Sequence, residues 1–426
     1  MNCSDYPLYG YRDKQAIFDD ARAYWNPDKT DFWIDSGIPL VLGRREGYVF
    51  EDIDGRSYID MHLNGGTFNL GHRNPEVIET LVDALQRVDI GNHHFATSGR
   101  SAFAKQLIET VPGGVMDKVV FGSSGGEVVD VALKSARYAT GRRKIVSVVK
   151  AFHGHTGLSI ATGDDRFLRM FNCDRPDEFV HVPFNDVDAM ERALAAGDVA
   201  AVIMETIPAT YGFPMPAPGY LKTVKELCER FGALYIADEV QTGLGRTVDF
   251  WCFEHHGFVP DILVTSKGLS GGIYPISACI LNEQAGAWLA EDGFAHMATF
   301  GGSELGCAVG MKVVEITRRP ETVAHVKELA AYYAGAFARL LDAHPALVEV
   351  RHDGTIAGLK FEVPSDPEPA VTFSKLLYDR GVWAIFSTLD KTVLQFKSGL
   401  LLPMGQAQCV IAAIDDALGV LDARLV

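Results

Sequence analysis

Short apolar runs alternate with amphipathic stretches between residues 115 and 280. Residues 126–139 and 218–232 have the apolar spacing of helices. Such alternation is typical of helices packed on a mostly parallel sheet, so this region predicts an α/β fold. The apolar runs are rich in β-branched residues and lie at residues 118–122, 144–149, 199–205, 233–239, 261–267 and 276–282.

The two ends of the chain show a different pattern. Residues 48–61 form two apolar segments around an Asp-Gly turn, which predicts a hairpin outside the main sheet. After residue 311, two helical stretches precede strand patterns at residues 348–363 and 382–386, with a helix at 374–381 between them. A last helix is predicted at residues 407–425, so this part of the chain is mixed α+β material.

The length of 426 residues fits one large domain with a smaller companion. We predict a large domain at residues 61–310 and a small domain at residues 311–426. An N-terminal segment of residues 1–60 joins the small domain. No repeat or long linker separates them in the sequence, so the domains should be interleaved.

Composition and charge narrow the function classes. Apolar residues make up 47% of the chain and charged residues 22%, and we expect no membrane span. The 39 basic and 55 acidic residues give a net charge of -16, which argues against a nucleic-acid partner. The seven cysteines, with no C-x-x-C pair, are typical of reduced thiols, mostly buried. Because the N-terminus has no signal-like segment, we expect a cytoplasmic protein.

Three segments place reactive side chains at the ends of predicted strands. Asp238 and Glu239 end one strand, and Lys267 follows another before a glycine-rich turn. Ligands of open α/β sheets bind outside the carboxyl ends of the strands. A lysine drawn into such a pocket has a lowered pKa and becomes nucleophilic. For the carboxylates a structural interpretation stays open, because strand-end carboxylates also cap the next element.

The third segment runs from a strand through Ser123 and Ser124 to Gly125 and Gly126, and then into a predicted helix. Backbone N–H groups at a helix N-terminus bind phosphate, while serine and glycine there are also ordinary helix caps. With a carboxylate and an amine at neighbouring strand ends, this segment predicts a pocket for a phosphorylated cofactor.

Four motifs together resemble the class III aminotransferases, which use pyridoxal 5'-phosphate. They lie at residues 48–77, 238–247, 260–278 and 296–307. The resemblance covers nearly the whole chain and implies a fold type I pyridoxal-phosphate-dependent transferase: a large domain with a mostly parallel sheet flanked by helices, plus a smaller α+β domain. The substrate would be a small amine or amino acid, and the acceptor a keto acid or aldehyde.

The resemblance also implies roles for individual residues. Lys267 and Asp238 would be catalytic, Lys267 as the imine-forming lysine and Asp238 as the carboxylate that keeps the pyridine nitrogen protonated. Thr299 would reach the phosphate of a neighbouring subunit, which implies a homodimer with active sites at the interface. The other implied cofactor contacts are Ser124, Gly125 and Gly126 at the phosphate, Phe152 on the ring with His153 in the adjoining turn, Gln241 near the phenolic oxygen, and Glu205 beside the cofactor.

The chain departs from the family where many members bind a substrate carboxylate. The arginine of the family pattern L-R-x-x-P-P-L is replaced by Gln395, and the glutamate that switches that arginine in glutamate-using members is replaced by Thr210. A neutral amide cannot replace a guanidinium at equal strength. Lys397, Arg44 or Arg351 are candidates for holding a carboxylate instead.

Because of these departures, reaction classes other than transamination stay open. A transaminase is the leading interpretation, and a lyase of the phospho-lyase or ammonia-lyase type, or a racemase, is the alternative on the same scaffold. A non-catalytic cofactor-sensing module is the remote alternative. Three histidine groups could suggest a metal, but their spacing does not match a zinc site, so we predict none. They are His93-His94, His153 with His155, and His255-His256. His93 and His94 are instead candidates for the substrate entrance.

Overall fold

The computed structural model describes residues 9–11 and 13–425. The strands of the described residues are β1 Leu42–Glu46, β2 Val49–Asp52, β3 Ser57–Asp60, β4 Met116–Gly122, β5 Lys144–Val148, β6 Phe179–Val182, β7 Val199–Glu205, β8 Leu234–Asp238, β9 Ile262–Thr265, β10 Ser277–Asn282, β11 Leu347–Asp353, β12 Ile356–Phe361, β13 Val382–Trp383, β14 Ile385–Ser387 and β15 Asp390–Lys397.

The α-helices of the described residues are α1 Lys14–Asp20, α2 Pro27–Asp35, α3 Leu63–Gly66, α4 Pro75–Leu85, α5 Ser98–Thr110, α6 Gly125–Thr140, α7 Asp165–Met170, α8 Val187–Leu194, α9 Tyr220–Phe231, α10 Glu283–Gly286, α11 Trp288–Glu291, α12 Glu304–Arg318, α13 Pro320–Ala343, α14 Pro369–Asp379 and α15 Met404–Asp422. Short 3-10 turns include Lys267–Ser270, and a π-helical turn, Ala21–Trp25, continues α1.

A seven-stranded sheet in the order β4-β10-β9-β8-β7-β5-β6 forms the centre of the molecule. Strands β9, β8, β7, β5 and β6 are parallel, while β10 is antiparallel to both of its neighbours. The predicted α/β fold with a mostly parallel sheet is therefore confirmed. The short strand β6 was not predicted. It has four residues with a histidine among them, so its sequence does not form a clear apolar run, and only two of the four are buried.

The central strands are apolar because helices cover both faces of the sheet. All residues of β7 and β8 are buried. Along β8, Ile236 packs into a core with Val128 and Leu133 of α6, while Tyr235 packs into the core on the opposite face with Leu221 of α9. This double burial leaves polar side chains only at the strand ends, where the predicted chemistry lies.

Two four-stranded sheets lie outside the central sheet, in the orders β1-β2-β3-β13 and β11-β12-β15-β14. Strands β2 and β3 form the predicted hairpin, and β13 joins its edge in parallel, with Val382 opposite Ile59. The prediction of one strand at residues 382–386 is wrong, since Ala384 separates β13 in one sheet from β14 in the other. The domain boundaries near residues 60 and 310 stay a prediction.

Helix α15 is long and apolar enough to cross a membrane by length and composition, the one such helix among the described residues. The sequence had predicted no such segment. One face of α15 packs into the core of the C-terminal sheets through Val410, Ile414 and Leu418. An amphipathic core helix accounts for this burial.

Candidate active site

The carboxyl ends of β5, β7, β8 and β9 meet at one edge of the central sheet, because these strands are parallel. A cavity of about 350 Å³ opens at this edge. It brings together nine of the ten side chains and glycines singled out from the sequence. These are Ser124, Gly125, Gly126, Phe152, His153, Glu205, Asp238, Gln241 and Lys267. The tenth, Thr299, is exposed and does not line this cavity.

Lys267 lines this cavity, where it is partly buried, and has an unusual backbone. Its φ angle is 42°, in the left-handed region that residues with a side chain adopt rarely and at some energetic expense. Such strain at a cavity is a reason to suspect function. Burial lowers the pKa of the Lys267 ammonium, against the opposing attraction of Asp238 and Glu205. A lowered pKa makes its amine available as a nucleophile or base.

Glycines of the irregular turn α3 make room for this lysine. A Cβ on Gly65 would lie 3.1 Å from Cε of Lys267, and a Cβ on Gly66 would lie 2.5 Å from Nη2 of Arg246. Both glycines have positive φ angles, so a side chain there would be strained as well as crowded. The sequence motif showed these glycines, but not that two cations pack against them.

Asp238 is held by a buried histidine that the sequence did not predict as its partner. Nδ1 of His153 lies 2.7 Å from Oδ2 of Asp238, and both side chains are shielded from solvent. The backbone N–H of Val240 donates to Oδ1 at 3.0 Å. His153 had been predicted as a cofactor contact in the turn after Phe152, and in the structure it also orients Asp238.

Glu205 and the neighbouring Glu239 are both buried, in different settings. Glu205 accepts hydrogen bonds from the backbone of Phe152 at 3.2 Å and of Ala209 at 3.0 Å. Burial raises the pKa of the Glu205 carboxyl above its ordinary value, and nearby Asp238 raises it further. Glu239 instead accepts from Thr206 and two backbone amides away from the cavity, and burial raises its pKa to about 7.

The N-terminus of α6 faces the cavity through Gly125 and Gly126. Ser124 is the N-cap residue, since its hydroxyl accepts a hydrogen bond from the backbone of Glu127. Within the described part of the chain, no hydrogen bond is donated by the amides of Gly125 and Gly126. A Cβ on Gly154 would lie 2.6 Å from the Cα of Gly126, so the turn above the helix requires glycine there. These free amides suit an anionic group such as a phosphate.

The donor set of the cavity fits pyridoxal phosphate. Lys267 offers an amine and Asp238 a carboxylate, while the helix N-terminus offers phosphate-binding amides. Two buried polar atoms in the cavity also lack partners among the described residues, Nε2 of His153 and Oε1 of Gln241. Such orphaned atoms are uncommon in native structures and are expected to meet a ligand or water.

His155 lines this cavity beside His153, whereas the other two histidine groups lie away from it. His94 packs its ring 6.0 Å from that of Phe294, and neither His93 nor His94 lines the cavity in the described structure. His255 and His256 approach Cys252, with possible ligand atoms within 4.8 Å of one another. The ring nitrogens of His255 already face Asp249 and Asp353 at 3.1 Å each. Nothing else in this cluster points to a metal.

Comparison with known proteins agrees with the site. A family model described as aminotransferase class-III matches residues 35–418. A relative from Archaeoglobus fulgidus, described as an uncharacterized aminotransferase, is 43% identical over 393 residues, covering 92% of this chain and 91% of the relative.

Solved structures of aminotransferases share the fold. An ornithine aminotransferase from Toxoplasma gondii, with partial occupancy of pyridoxal phosphate at its active site, superimposes with a TM-score of 0.89 at 25% identity. The alignment covers 97% of this chain and 96% of that one. An acetylornithine aminotransferase from Elizabethkingia anophelis gives a TM-score of 0.83 at 26% identity, covering 96% and 100% of the two chains.

Proposed function

Because this chain belongs to the class III aminotransferases and is a pyridoxal-phosphate-dependent transaminase, we propose that Lys267 and Asp238 are its catalytic pair. The observation that carries this assignment is that both side chains line one cavity, at the ends of the adjacent parallel strands β9 and β8. The substrate is an amine or amino acid, and the amino group passes to a keto acid or aldehyde.

Each proposed role follows from the position of a side chain. When bound, pyridoxal phosphate supplies the electron sink that stabilises the carbanion left by loss of a substrate proton. Lys267 would hold the cofactor covalently in the resting enzyme and, once the substrate amine has displaced it, its free Nζ atom would take up and return the substrate proton. Asp238, oriented by His153, would keep a proton on the ring nitrogen. The amides of Gly125 and Gly126 would bind the phosphate, while Phe152, Gln241 and Glu205 would surround the ring.

A single spectroscopic experiment tests the reaction class. The purified holoenzyme is mixed with amines, amino acids and phosphorylated amino alcohols without any acceptor, and the visible spectrum is followed while ammonia and phosphate are assayed. A transaminase converts its cofactor stoichiometrically to the aminated form and releases neither product. Catalytic release of ammonia or phosphate would identify a lyase, and inversion of a chiral substrate a racemase.

The proposal includes a homodimer in which Thr299 of the partner subunit reaches the cofactor phosphate. Thr299 is exposed within a segment that also exposes Phe294, Met297 and Phe300 by 68%, 59% and 59%. Clustered exposed apolar side chains mark interaction surfaces. Light scattering should give twice the chain mass. A charged residue in place of Phe300 should disrupt the dimer and thereby weaken cofactor binding.

We also propose a cytoplasmic location. The free cysteines of the described residues, most of them buried, support it. Cys3 lies outside those residues.

Substitution of His153 tests whether it positions Asp238. His153→Ala should lower kcat about ten- to a hundredfold, because a buried carboxylate loses a donor worth about 1 to 3 kcal/mol. His153→Asn, which keeps a short N–H donor, should recover part of that loss and shift the cofactor absorbance back toward wild type. Equal kcat values for wild type and His153→Ala would contradict the positioning role.

We also expect glutamate and 2-oxoglutarate to be poor substrates. Gln395 and Thr210 replace both members of the carboxylate switch, and loss of an arginine fork weakens dicarboxylate binding by about 2 to 4 kcal/mol, roughly thirty- to a thousandfold. Arg44 and Arg351, the other candidates for holding a carboxylate, pair with Glu46 and Glu349 in this structure. Single-turnover amination by glutamate that saturates at low millimolar concentration, as fast as with the best amine, would contradict this expectation.

A further inference from the structure

We propose that Lys397, assisted by Arg246, binds an acidic group of the substrate. The inference rests on the proposed function and narrows it to amines that also carry an anionic substituent. The shared chemistry is a compact oxyanion: a carboxylate, a sulfonate or a phosphonate. The proposal follows from the strand geometry, from the charge balance of the buried residues and from a comparison with another shielded lysine of the chain.

Strand β15 places Lys397 within electrostatic reach of Lys267, whose charge lowers the pKa of Lys397. Gln395 and Lys397 lie on the same face of β15, because side chains alternate along a strand. Nζ of Lys397 donates to Oε1 of Gln395, whose Nε2 donates to the carbonyl of Ala209 at 2.9 Å. The N–H of Ala209 in turn donates to Glu205 at 3.0 Å. A hydrogen-bonded chain therefore connects the ammonium to a carboxylate that lines the cavity, and the cation lost at position 395 reappears two residues later.

The ammonium of Lys397 lacks an anion. The residue is 1% exposed, its ammonium donates to the neutral amide of Gln395, and its Nζ lies 5.4 Å from the ring centroid of Phe213. Among residues 9–11 and 13–425, no carboxylate lies within ion-pair distance of it. Asp60 is the carboxylate whose field reaches Lys397, but Asp60 already binds His72 at 2.8 Å. A buried cation is strongly disfavoured unless an anion compensates it.

Arg246 adds a second uncompensated positive charge. It is 2% exposed, and among the residues that the structure describes its Nε and Nη2 atoms donate to the backbone carbonyls of Gln241 and Gly66, at 2.7 and 2.8 Å. Its Nη1 atom is buried without a partner among the described residues. Burial lowers the pKa of Lys397 well below its ordinary value, and repulsion from Arg246 and then Lys267 lowers it further. An anion on Lys397 would offset this repulsion, and Nη1 of Arg246 is a candidate second donor.

Another shielded lysine of the chain, Lys225, does have carboxylate partners. Lys225, whose side chain is 12% exposed, pairs with Glu229 at 2.7 Å and with Asp261 at 3.2 Å. The fold therefore supplies carboxylates where a shielded lysine serves packing alone. Lys397 is more deeply buried and has a neutral amide instead, which orients the ammonium without neutralising it. That arrangement leaves the amino group without an anionic partner, and a bound anion would favour its ammonium form.

The test compares amines of similar length that differ in their acidic group. Cofactor amination in the holoenzyme is followed at increasing concentrations of β-alanine, taurine, 2-aminoethylphosphonate and propylamine. Binding of the amine-free acids propionate, ethanesulfonate and ethylphosphonate is measured by calorimetry, which requires no turnover. The variants are Lys397→Met and Lys397→Arg. Lys391→Met is the matched control, because Lys391 lies on the same strand but pairs with Glu368 near the surface.

In wild type, at least one anionic amine should saturate at a concentration about tenfold or more below that of propylamine. Lys397→Met should raise that concentration roughly thirty- to a thousandfold and abolish binding of the matching amine-free acid, while propylamine changes by less than about threefold. Lys397→Arg should retain the preference for anionic amines, and Lys391→Met should behave as wild type. The acid that binds best identifies the kind of anion.

Unchanged handling of every anionic amine by a folded Lys397→Met variant would overturn the proposal, as would a wild-type enzyme that prefers propylamine and binds none of the acids. If Lys397→Met does not fold, the wild-type calorimetry and Lys397→Arg still decide between these outcomes. Failure of the proposed function looks different: no amine would aminate the wild-type cofactor, whereas the acids would still bind at Lys397.

Discussion

Replacing Lys267 with alanine should abolish turnover while leaving the fold intact. The change removes both the amine that holds the cofactor and the base that moves the substrate proton, so we expect kcat to fall by about four orders of magnitude or more. Lys267 contributes no ion pair among the described residues, and its removal relieves a buried charge. The melting temperature should therefore change little. Stopped-flow assays and the loss of the visible band of the lysine-bound cofactor measure the effect.

Lys150 provides a matched control for this substitution. It also follows a parallel strand, β5, and has a left-handed backbone with a φ angle of 65°. Its Nζ lies over the ring of Tyr211 at 4.4 Å, and it does not line the cavity in the described structure. Lys150→Ala should lose at most about threefold in kcat, an effect typical of a surface contact. A Lys267→Ala protein that kept a substantial fraction of wild-type turnover would end the proposed mechanism.

The positions of the strand-end residues could be predicted because the central sheet is buried on both faces. An apolar run such as β8 must end where it reaches solvent or a ligand, and parallel strands bring those ends to one edge. Asp238, Lys267 and Ser124 could thus be expected together before their distances were known. The same reasoning does not extend to Thr299. This residue lies on the surface of the single chain, so its contact with the phosphate of a neighbouring subunit stays a prediction.

Contacts between distant segments could not be predicted from spacing. His153 and Asp238 are 85 residues apart, and only the neighbouring strands β5, β7 and β8 bring them to 2.7 Å. The approach of Gly66 to Arg246 spans 180 residues in the same way. The division of residues 382–386 between two sheets was missed because a continuous apolar pattern carries no mark of the break at Ala384.

The effect of Asp238→Asn should be a severe loss of rate with the cofactor still bound. An amide has nearly the shape of a carboxylate, but it cannot keep the ring nitrogen charged, and its NH₂ group would face one of the two donors of Asp238, Nδ1 of His153 or the N–H of Val240. Loss of a charged hydrogen bond in a dry site is worth about 3 to 4 kcal/mol, so proton removal should slow by two to three orders of magnitude. Single-turnover kinetics with substrate deuterated at the reacting carbon measure that step directly.

Asp261→Asn is the control that separates this chemistry from general damage to the sheet. Asp261 precedes β9 at the opposite edge, where it pairs with Lys225 and accepts from the backbone of Tyr235 at 2.8 Å. Its replacement should lower the melting temperature but leave the isotope-sensitive step unchanged. Asp238→Asn should do the reverse, with full cofactor stoichiometry and a larger isotope effect, because proton removal becomes fully rate-limiting. Near wild-type kcat in Asp238→Asn, with an isotope-sensitive step, would mean that another residue faces the ring nitrogen.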